Sequence, residues 1–290
     1  MRESILITGV GGPAGHAGAS YFASKGYRVV GTDIREVSSP ATQFRFVPAA
    51  RDTGFVPALL EIASEENAAL VVSTVTEELP LVARMRTALR ARGISLSISD
   101  PAGVDVANDK LRTAVELERA GLAVPLTFAA ATPRCEVTGA LGFPLLSKPR
   151  FGRGGRGVVV HHGVEGLSSA GADEVVWQEF LPGEEYDVNL FVERDGSVPA
   201  AIVLRKTALR EGLVGNALRV ERVERPDVAE LAVRAVRFLG LEGPIDLDIR
   251  LGTDGGPAVL DVNARLGANV LSAREVLDAL DDAWRKGRCA

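Results

Sequence analysis

The chain has 290 residues, 46% of them apolar and 24% charged, and a formal net charge of −5. That length suggests about two domains, each with its own core, and the acidic balance argues against a general nucleic-acid binder, which carries a basic stripe. No run approaches ~18 uninterrupted apolar residues, so no membrane span is expected, and two cysteines far apart, with only three histidines, leave neither a disulfide framework nor a histidine-rich metal site and point to the reducing cytoplasm.

Residues 4–8 read as a buried strand, too short and too quickly punctuated for a signal peptide. A glycine-rich turn over 9–15 leads into a helix to about Ser24, and 27–33 is a second strand ending in Asp33. Gly9, Gly11 and Ala14 fit the dinucleotide fingerprint, with Asp33 where a ribose-binding acid falls. The same glycines also serve a tight turn and close strand–helix packing. The alternation continues with a helix over 55–64, a strand over 69–74, a helix over 79–91 and a strand over 94–98. This implies a parallel sheet covered on both faces, with ligands beyond the carboxyl ends of its strands. Glu77 and Glu78 lie at one such end. They suit a substrate amine, or are the solvated start of a helix, favoured there by its dipole.

The spacing over 108–121 predicts a helix with Asn108 as N-cap and Gly121 just past its end. Lys110 in its first turn opposes the helix dipole, a conflict that a bound anion would resolve. A strand over 143–148 ends in Lys148. The following loop carries Arg153 and Arg156 among Gly152, Gly154, Gly155 and Gly157, more glycine than a turn requires. Such a loop suits a lid over polyphosphate, because backbone amides can approach oxygens without a Cβ in the way and the arginines add bidentate charge. It is not the P-loop pattern. Residues 175–183 form a strand, with Trp177 and Phe180 expected in the core. Residues 185–192 form an alternating strand that turns at Asp195 and Gly196, and 199–206 pairs back. A helix over 226–239 precedes the last hairpin, and a final helix starts near Ser272.

In that hairpin, Asp254 and Gly255 predict a two-residue turn. Counting outward sets Asp248 opposite Asp261 and Asp246 opposite Asn263, all on one face. Opposed side chains lie about 5 Å apart and like charges there repel. Either Arg250 and Arg265 are the counter-charges of a solvated face, or a hard divalent cation is. Mg²⁺ takes oxygen ligands of this kind together with substrate phosphates, and Arg265, on the same face, would meet them too.

The order Lys110, Lys148 with its glycine lid, Glu179, Glu185, Asp248 and then Asp261, Asn263, Arg265 resembles the ATP-grasp superfamily, most closely its carbamoyl-phosphate-synthetase-like carboxylate–amine ligases. The resemblance covers nearly the whole chain. It implies an α/β and α+β fold. A Rossmann-like parallel-sheet domain (1–105) would precede an ATP-grasp domain (106–290), whose lid-bearing (106–175) and metal-binding (176–290) halves clamp ATP. It further implies Lys110 and Lys148 on the phosphates beneath a lid of Gly154, Gly155, Gly157, Arg153 and Arg156. Glu179, Phe180 and Leu181 would read adenine, with Glu179 or Glu185 on the ribose. Asp248, Asp261 and Asn263 would hold one or two Mg²⁺, with Mn²⁺ as a substitute, and Arg265 would neutralise the transferred phosphoryl group. Ala264 stands where the family pattern has proline and Asp261 where it has glutamate, a shorter acid that would shift the metal. A C-terminal domain found in relatives is not expected after the motif.

The expected activity joins a small-molecule carboxylate, activated as an acyl phosphate, to an amine, with amino acids among the substrates. Glu77, Arg205, Lys206, Arg210 and Asn269 are candidates for holding substrate. Neither nucleic acid nor membrane is an expected partner, and base rates alone favour a homodimer. Two alternatives remain. One is an NAD-dependent oxidoreductase built on the 9–15 loop and Asp33, and the other is a non-catalytic ATP-binding sensor.

Overall fold

The computed structural model of the chain describes residues 3–167, 175–211 and 214–287. The first hundred residues supply short β-branched runs with helices between them, and these assemble as a parallel sheet. Strands β1 (Ser4–Thr8), β2 (Arg28–Asp33), β3 (Gln43–Phe46), β4 (Ala68–Val72) and β5 (Ser95–Leu96) pair in the order β3-β2-β1-β4-β5. Every residue of β1 is buried, as expected of a strand covered on both faces. Helix α1 (Pro13–Ser24) packs on Ile5, Ile7 and Val29, and α2 (Phe55–Glu65) packs on the opposite side with Leu6 and Val30. The 9–15 turn is glycine-rich for a steric reason: a Cβ on Gly15 would stand 2.2 Å from the Gly9 carbonyl oxygen. The helix expected over 79–91 is two helices, α3 (Leu79–Arg84) and α4 (Arg86–Arg90), broken at Met85. The strand expected over 94–98 pairs only at its two β5 residues.

Two helices lead out of this domain, α5 (Pro101–Ala107) and α6 (Lys110–Arg119). Asp109, not Asn108, caps α6, because its carboxylate accepts the amides of Leu111 and Arg112, while Asn108 closes α5. Gly121, at φ +67°, follows the end of α6 as expected. A small antiparallel sheet follows: β6 (Thr127–Ala129), β7 (Leu145–Pro149), β8 (Val159–His161) and β9 (Val175–Glu179), in the order β6-β9-β7-β8. Helix α7 (Arg134–Leu141) backs it over a core of Val137, Leu145, Leu167 and Trp177, so Trp177 is a core residue.

The largest antiparallel sheet contains β10 (Glu185–Val192), β11 (Ala200–Glu211), β12 (Val214–Arg222), β13 (Gly243–Leu251) and β14 (Pro257–Asn263), ordered β12-β11-β10-β13-β14. Helix α8 (Pro226–Phe238) packs with Val188, Leu247 and Ile249 on one face. Helix α9 (Arg274–Arg285) packs with Phe191, Ile202 and Leu204 on the other, and it also ties down the front domain. There Tyr21 Oη donates to Asp278 and Tyr27 Oη to Asp281, each at 2.6 Å.

The last hairpin corrects one expectation while keeping its consequence. Gly252 N donates to Gly256 O at 2.8 Å, so the loop has Thr253, Asp254 and Gly255 as its residues, with Gly255 at φ +78°. It is not a two-residue turn. The extra loop residue would shift the register by one, but a bulge at Leu260 restores it: Ile249 lies opposite Val259, and Asp248 opposite Asp261. Asp246 and Asn263 are opposed as expected.

Candidate active site

Cross-strand pairing sets out polar rows on one face of the large sheet. Asp187, Asp248 and Asp261 form one row, and Asn189, Asp246 and Asn263 the next. Directly opposed carboxylates at this spacing repel, and each finds a different remedy. Lys206 Nζ donates to Glu185 Oε1 at 2.6 Å and to Asp248. Burial opposes charge on Lys206, but Asp248, Glu185 and Asp187 outweigh it and raise its pKa. Lys110 pairs with Asp261 at 3.1 Å. Arg265 Nη1 reaches Asp246 at 3.0 Å and its Nη2 reaches Asn263 Oδ1 at 3.1 Å. Asp246 is held well above the carboxylate range, first by burial and then by Asp187.

The bulge also serves the site. Leu260 has no partner in the β13–β14 register, and its carbonyl accepts Lys148 Nζ at 2.9 Å. Burial pulls the Lys148 ammonium down to about 8. Lys110 is anchored to the lid as well, its Nζ donating to Gly152 O at 2.8 Å. Beside it, Arg150 grips the α6 cap Asp109 through Nε and Nη2 at 2.8 and 2.7 Å.

A cleft of about 90 Å³ lies between the lid and this face, lined by Lys110, Lys148, Arg153, Arg156, Lys206 and Arg250 against Glu185, Asp248 and Asp261. Six cations facing three carboxylates make a site for a polyanion. Its volume falls below the ~300 Å³ at which small-molecule sites begin, so a nucleotide requires the lid to lift. The lid tip is seated on β12, where a Cβ on Gly155 would meet the Gly215 Cα at 2.3 Å. A second cavity of about 460 Å³ adjoins it, lined by the 9–15 loop, Asp33, Arg35, Glu78, Arg153, Arg156 and Arg265. The front domain and the lid thus share one chamber.

The other predicted residues fall as follows. Gly154 and Gly155 line the cleft; Gly157 turns the chain back against Pro149 and is outside the lining. Glu179 Oε2 accepts the Leu126 amide at 3.1 Å, Leu181 is buried, and Phe180 lies under the Arg250 guanidinium at 5.2 Å; none of the three is in the lining of either cavity. Glu185 is buried between Lys206 and Arg250. Arg205 is held by Glu184 and Glu221 at 3.0 and 2.7 Å, one residue out of phase with Lys206, so the structure does not bring it to the site. Arg210 is exposed and outside both linings. Asn269 donates to Asp187 Oδ2 at 2.6 Å, beneath the site. Glu77 receives Arg153 Nε at 2.8 Å and latches the lid to the front domain. Glu78 faces the larger cavity instead: it is 4% exposed, its Oε2 has no hydrogen-bond partner among the described residues, and burial pushes it up to about 7. Asp33, placed for a ribose, is occupied by the Gly11 and Ile34 amides at 3.0 and 2.8 Å. Lys206, expected to hold substrate, stands in the cleft between Glu185 and Asp248, and Arg250, expected as a counter-charge, pairs with Glu185; sequence reasoning missed Asp187 and Asn189. Counting outward from Asp195 and Gly196 would have set Lys206 beside Glu185.

A family profile of the ATP-grasp domain matches residues 107–269. No curated protein matches the chain in sequence. Among solved structures, the chain is similar to an L-amino acid ligase from Bacillus licheniformis, with 19% identity and a TM-score of 0.75 over 93% of this chain and 70% of that one. It is similar to a biotin carboxylase from Campylobacter jejuni, with 15% identity and a TM-score of 0.75 over 98% and 71%. It is also similar to a D-alanine–D-alanine ligase from Bacillus anthracis, with 17% identity and a TM-score of 0.68 over 99% and 98%.

Proposed function

The chain belongs to the ATP-grasp family, and from that premise we propose that it is an ATP-dependent ligase joining a small-molecule carboxylate to an amine. The observation that carries this reading is the cationic cleft under a glycine lid, floored by Asp248 and Asp261. The donors there are all oxygens, two carboxylates with the Asn263 amide beside them, and they fit a hard divalent cation. Asp248, Asp261 and Asn263 would hold Mg²⁺, which when bound neutralises charge on the phosphates. Lys110, Lys148 and Lys206 take the phosphates, and Glu179, Phe180 and Leu181 the base.

The substrate carboxylate oxygen attacks the γ-phosphorus and ADP leaves. The amine, as its free base, then attacks the acyl carbon, phosphate leaves, and the nitrogen gives up one proton to solvent. No side-chain nucleophile takes part. The protein supplies position and charge, and the lid excludes the water that would hydrolyse the acyl phosphate. Residues 106–290 form the catalytic unit, and 1–105 help hold substrate through the larger cavity. Mg²⁺-dependent ADP release that requires both a carboxylate and an amine, screened over amino acids and small acids, tests the reading. Stabilisation by NAD(H) but not by Mg·ATP would instead favour the oxidoreductase alternative.

Glu78 is the residue for the amine, because a buried carboxylate with an unpartnered oxygen gains a full counter-charge from an ammonium. Burial raises its pKa in the fold from the ordinary 4.5 to about 7. The folded chain therefore binds the proton more tightly than the unfolded one, and the associated stability is lost as pH rises from 4.5 through about 7. Glu78→Gln is expected to flatten the fall of melting temperature across that window and to raise KM for the amine. A melting profile identical to that of the unaltered chain would contradict it.

A further inference from the structure

We infer that Asp246 is a positioning residue for Arg265, braced from beneath by Asp187 and Asn189. This deepens the ligase reading and rests on it. All but one of the N–H groups of the Arg265 guanidinium are taken by protein acceptors among the described residues: Nε by Thr76 Oγ1 at 3.4 Å, Nη1 by Asp246 Oδ2 at 3.0 Å and Leu266 O at 2.7 Å, and Nη2 by Asn263 Oδ1 at 3.1 Å. The last N–H, on Nη2, is left for the chamber that Arg265 lines. Among these acceptors Asp246 is the one carboxyl group, and its contact with Nη1 sets which edge of the planar group turns inward and which outward.

Asp246 is itself held from three sides. Asn189 lies directly opposite it on β10, and Asp187 is the next residue of that strand on the same face. Among the described residues no cation is in ion-pair contact with Asp187. It accepts the amides of Asn189 and Asn269, each at 2.6 Å, which fixes both. From above, Gly267 closes the group. A Cβ there would stand 2.2 Å from Asn189 Oδ1 and 3.1 Å from the Asp246 carboxyl carbon. Asp187, Asn189 and Asp246 are 3%, 0% and 7% exposed and line neither cavity. Burying two carboxylates side by side is costly, and the arrangement gives a return only if the arginine above it must be held in one orientation.

The test uses the full chain with Mg·ADP, with and without aluminium fluoride as a mimic of the transferred phosphoryl group. The unaltered chain is expected to bind Mg·ADP more tightly with fluoroaluminate present. Asp246→Asn, an isosteric change, should cut that gain by roughly tenfold or more while leaving Mg·ADP affinity and melting temperature near those of the unaltered chain. Thr76→Val, which releases Nε from another element, should cut it less. In an Arg265→Lys background, Asp246→Asn should lower the gain no further, because coupled residues are not additive. A full gain in both Asp246→Asn and Thr76→Val overturns the inference, and so does an additive loss in the double variant. Failure of the unaltered chain to bind Mg·ADP at all is a different result, since it removes the ligase reading on which the inference stands.

Discussion

Alanine at Asp261 or at Asn263 is expected to lower ADP release by on the order of a hundredfold or more, the scale of a lost electrostatic group at a reacting centre. Both side chains lie on the cleft face of β14, opposite Asp248 and Asp246. Neither contributes to an apolar core, so melting temperature should move by only a few degrees. Asp261→Ala also frees Lys110, its partner at 3.1 Å, and would therefore weaken the metal more than the nucleotide. Asn263→Ala removes one acceptor of Arg265 as well as a metal donor, and its loss should fall mainly on kcat. ADP-release kinetics at saturating and limiting Mg²⁺ check both, and unchanged turnover in both variants would remove the metal assignment.

Lys148→Met is expected to be the next most severe change, here on nucleotide affinity. Lys148 is buried at the centre of the cleft with its ammonium on the Leu260 carbonyl. Methionine keeps the stem and removes the charge, so one of the phosphate cations is lost in a water-poor site. The expected weakening of Mg·ATP binding is roughly tenfold to a hundredfold. In the unaltered chain burial brings the amine down to about 8. Only the ammonium attracts phosphate, so affinity should fall as pH rises above about 8, while in Lys148→Met that dependence should be absent. Calorimetric titration at several pH values measures both effects, and equal affinity in the two chains would exclude Lys148 from the phosphate site.

Much of the site was legible in the sequence because β-hairpins obey simple arithmetic. Asp248 and Asp261 face each other as outward counting requires, although the count began from the wrong turn. The three-residue loop and the bulge at Leu260 offset one another, and neither leaves a periodic signal. The glycine lid was legible because so many glycines, with arginines between them, exceed what a turn needs. The cap at Asp109 was misjudged by one residue because Asn108 and Asp109 are both good caps. What decides between them is the two helix amides at Asp109, reinforced by Arg150 from the lid. Glu77 and Glu78 are alike in sequence. Their roles diverge because one emerges toward the lid arginine and the other is turned into the chamber, a choice made by the tertiary structure. Arg265 reads as a counter-charge on the face of the clustered acids, and it pairs with Asp246; strand counting puts it on that face but does not say which acid it meets.

A crystal structure with Mg²⁺ and a non-hydrolysable ATP analogue tests the central claim most directly. The account predicts the triphosphate between Lys110, Lys148, Lys206 and the 152–157 loop, with metal density on Asp248 and Asp261 and both lysine–carboxylate pairs opened. Nucleotide seated on the 9–15 loop, with Lys110 still on Asp261 and Lys206 still on Asp248, would contradict it.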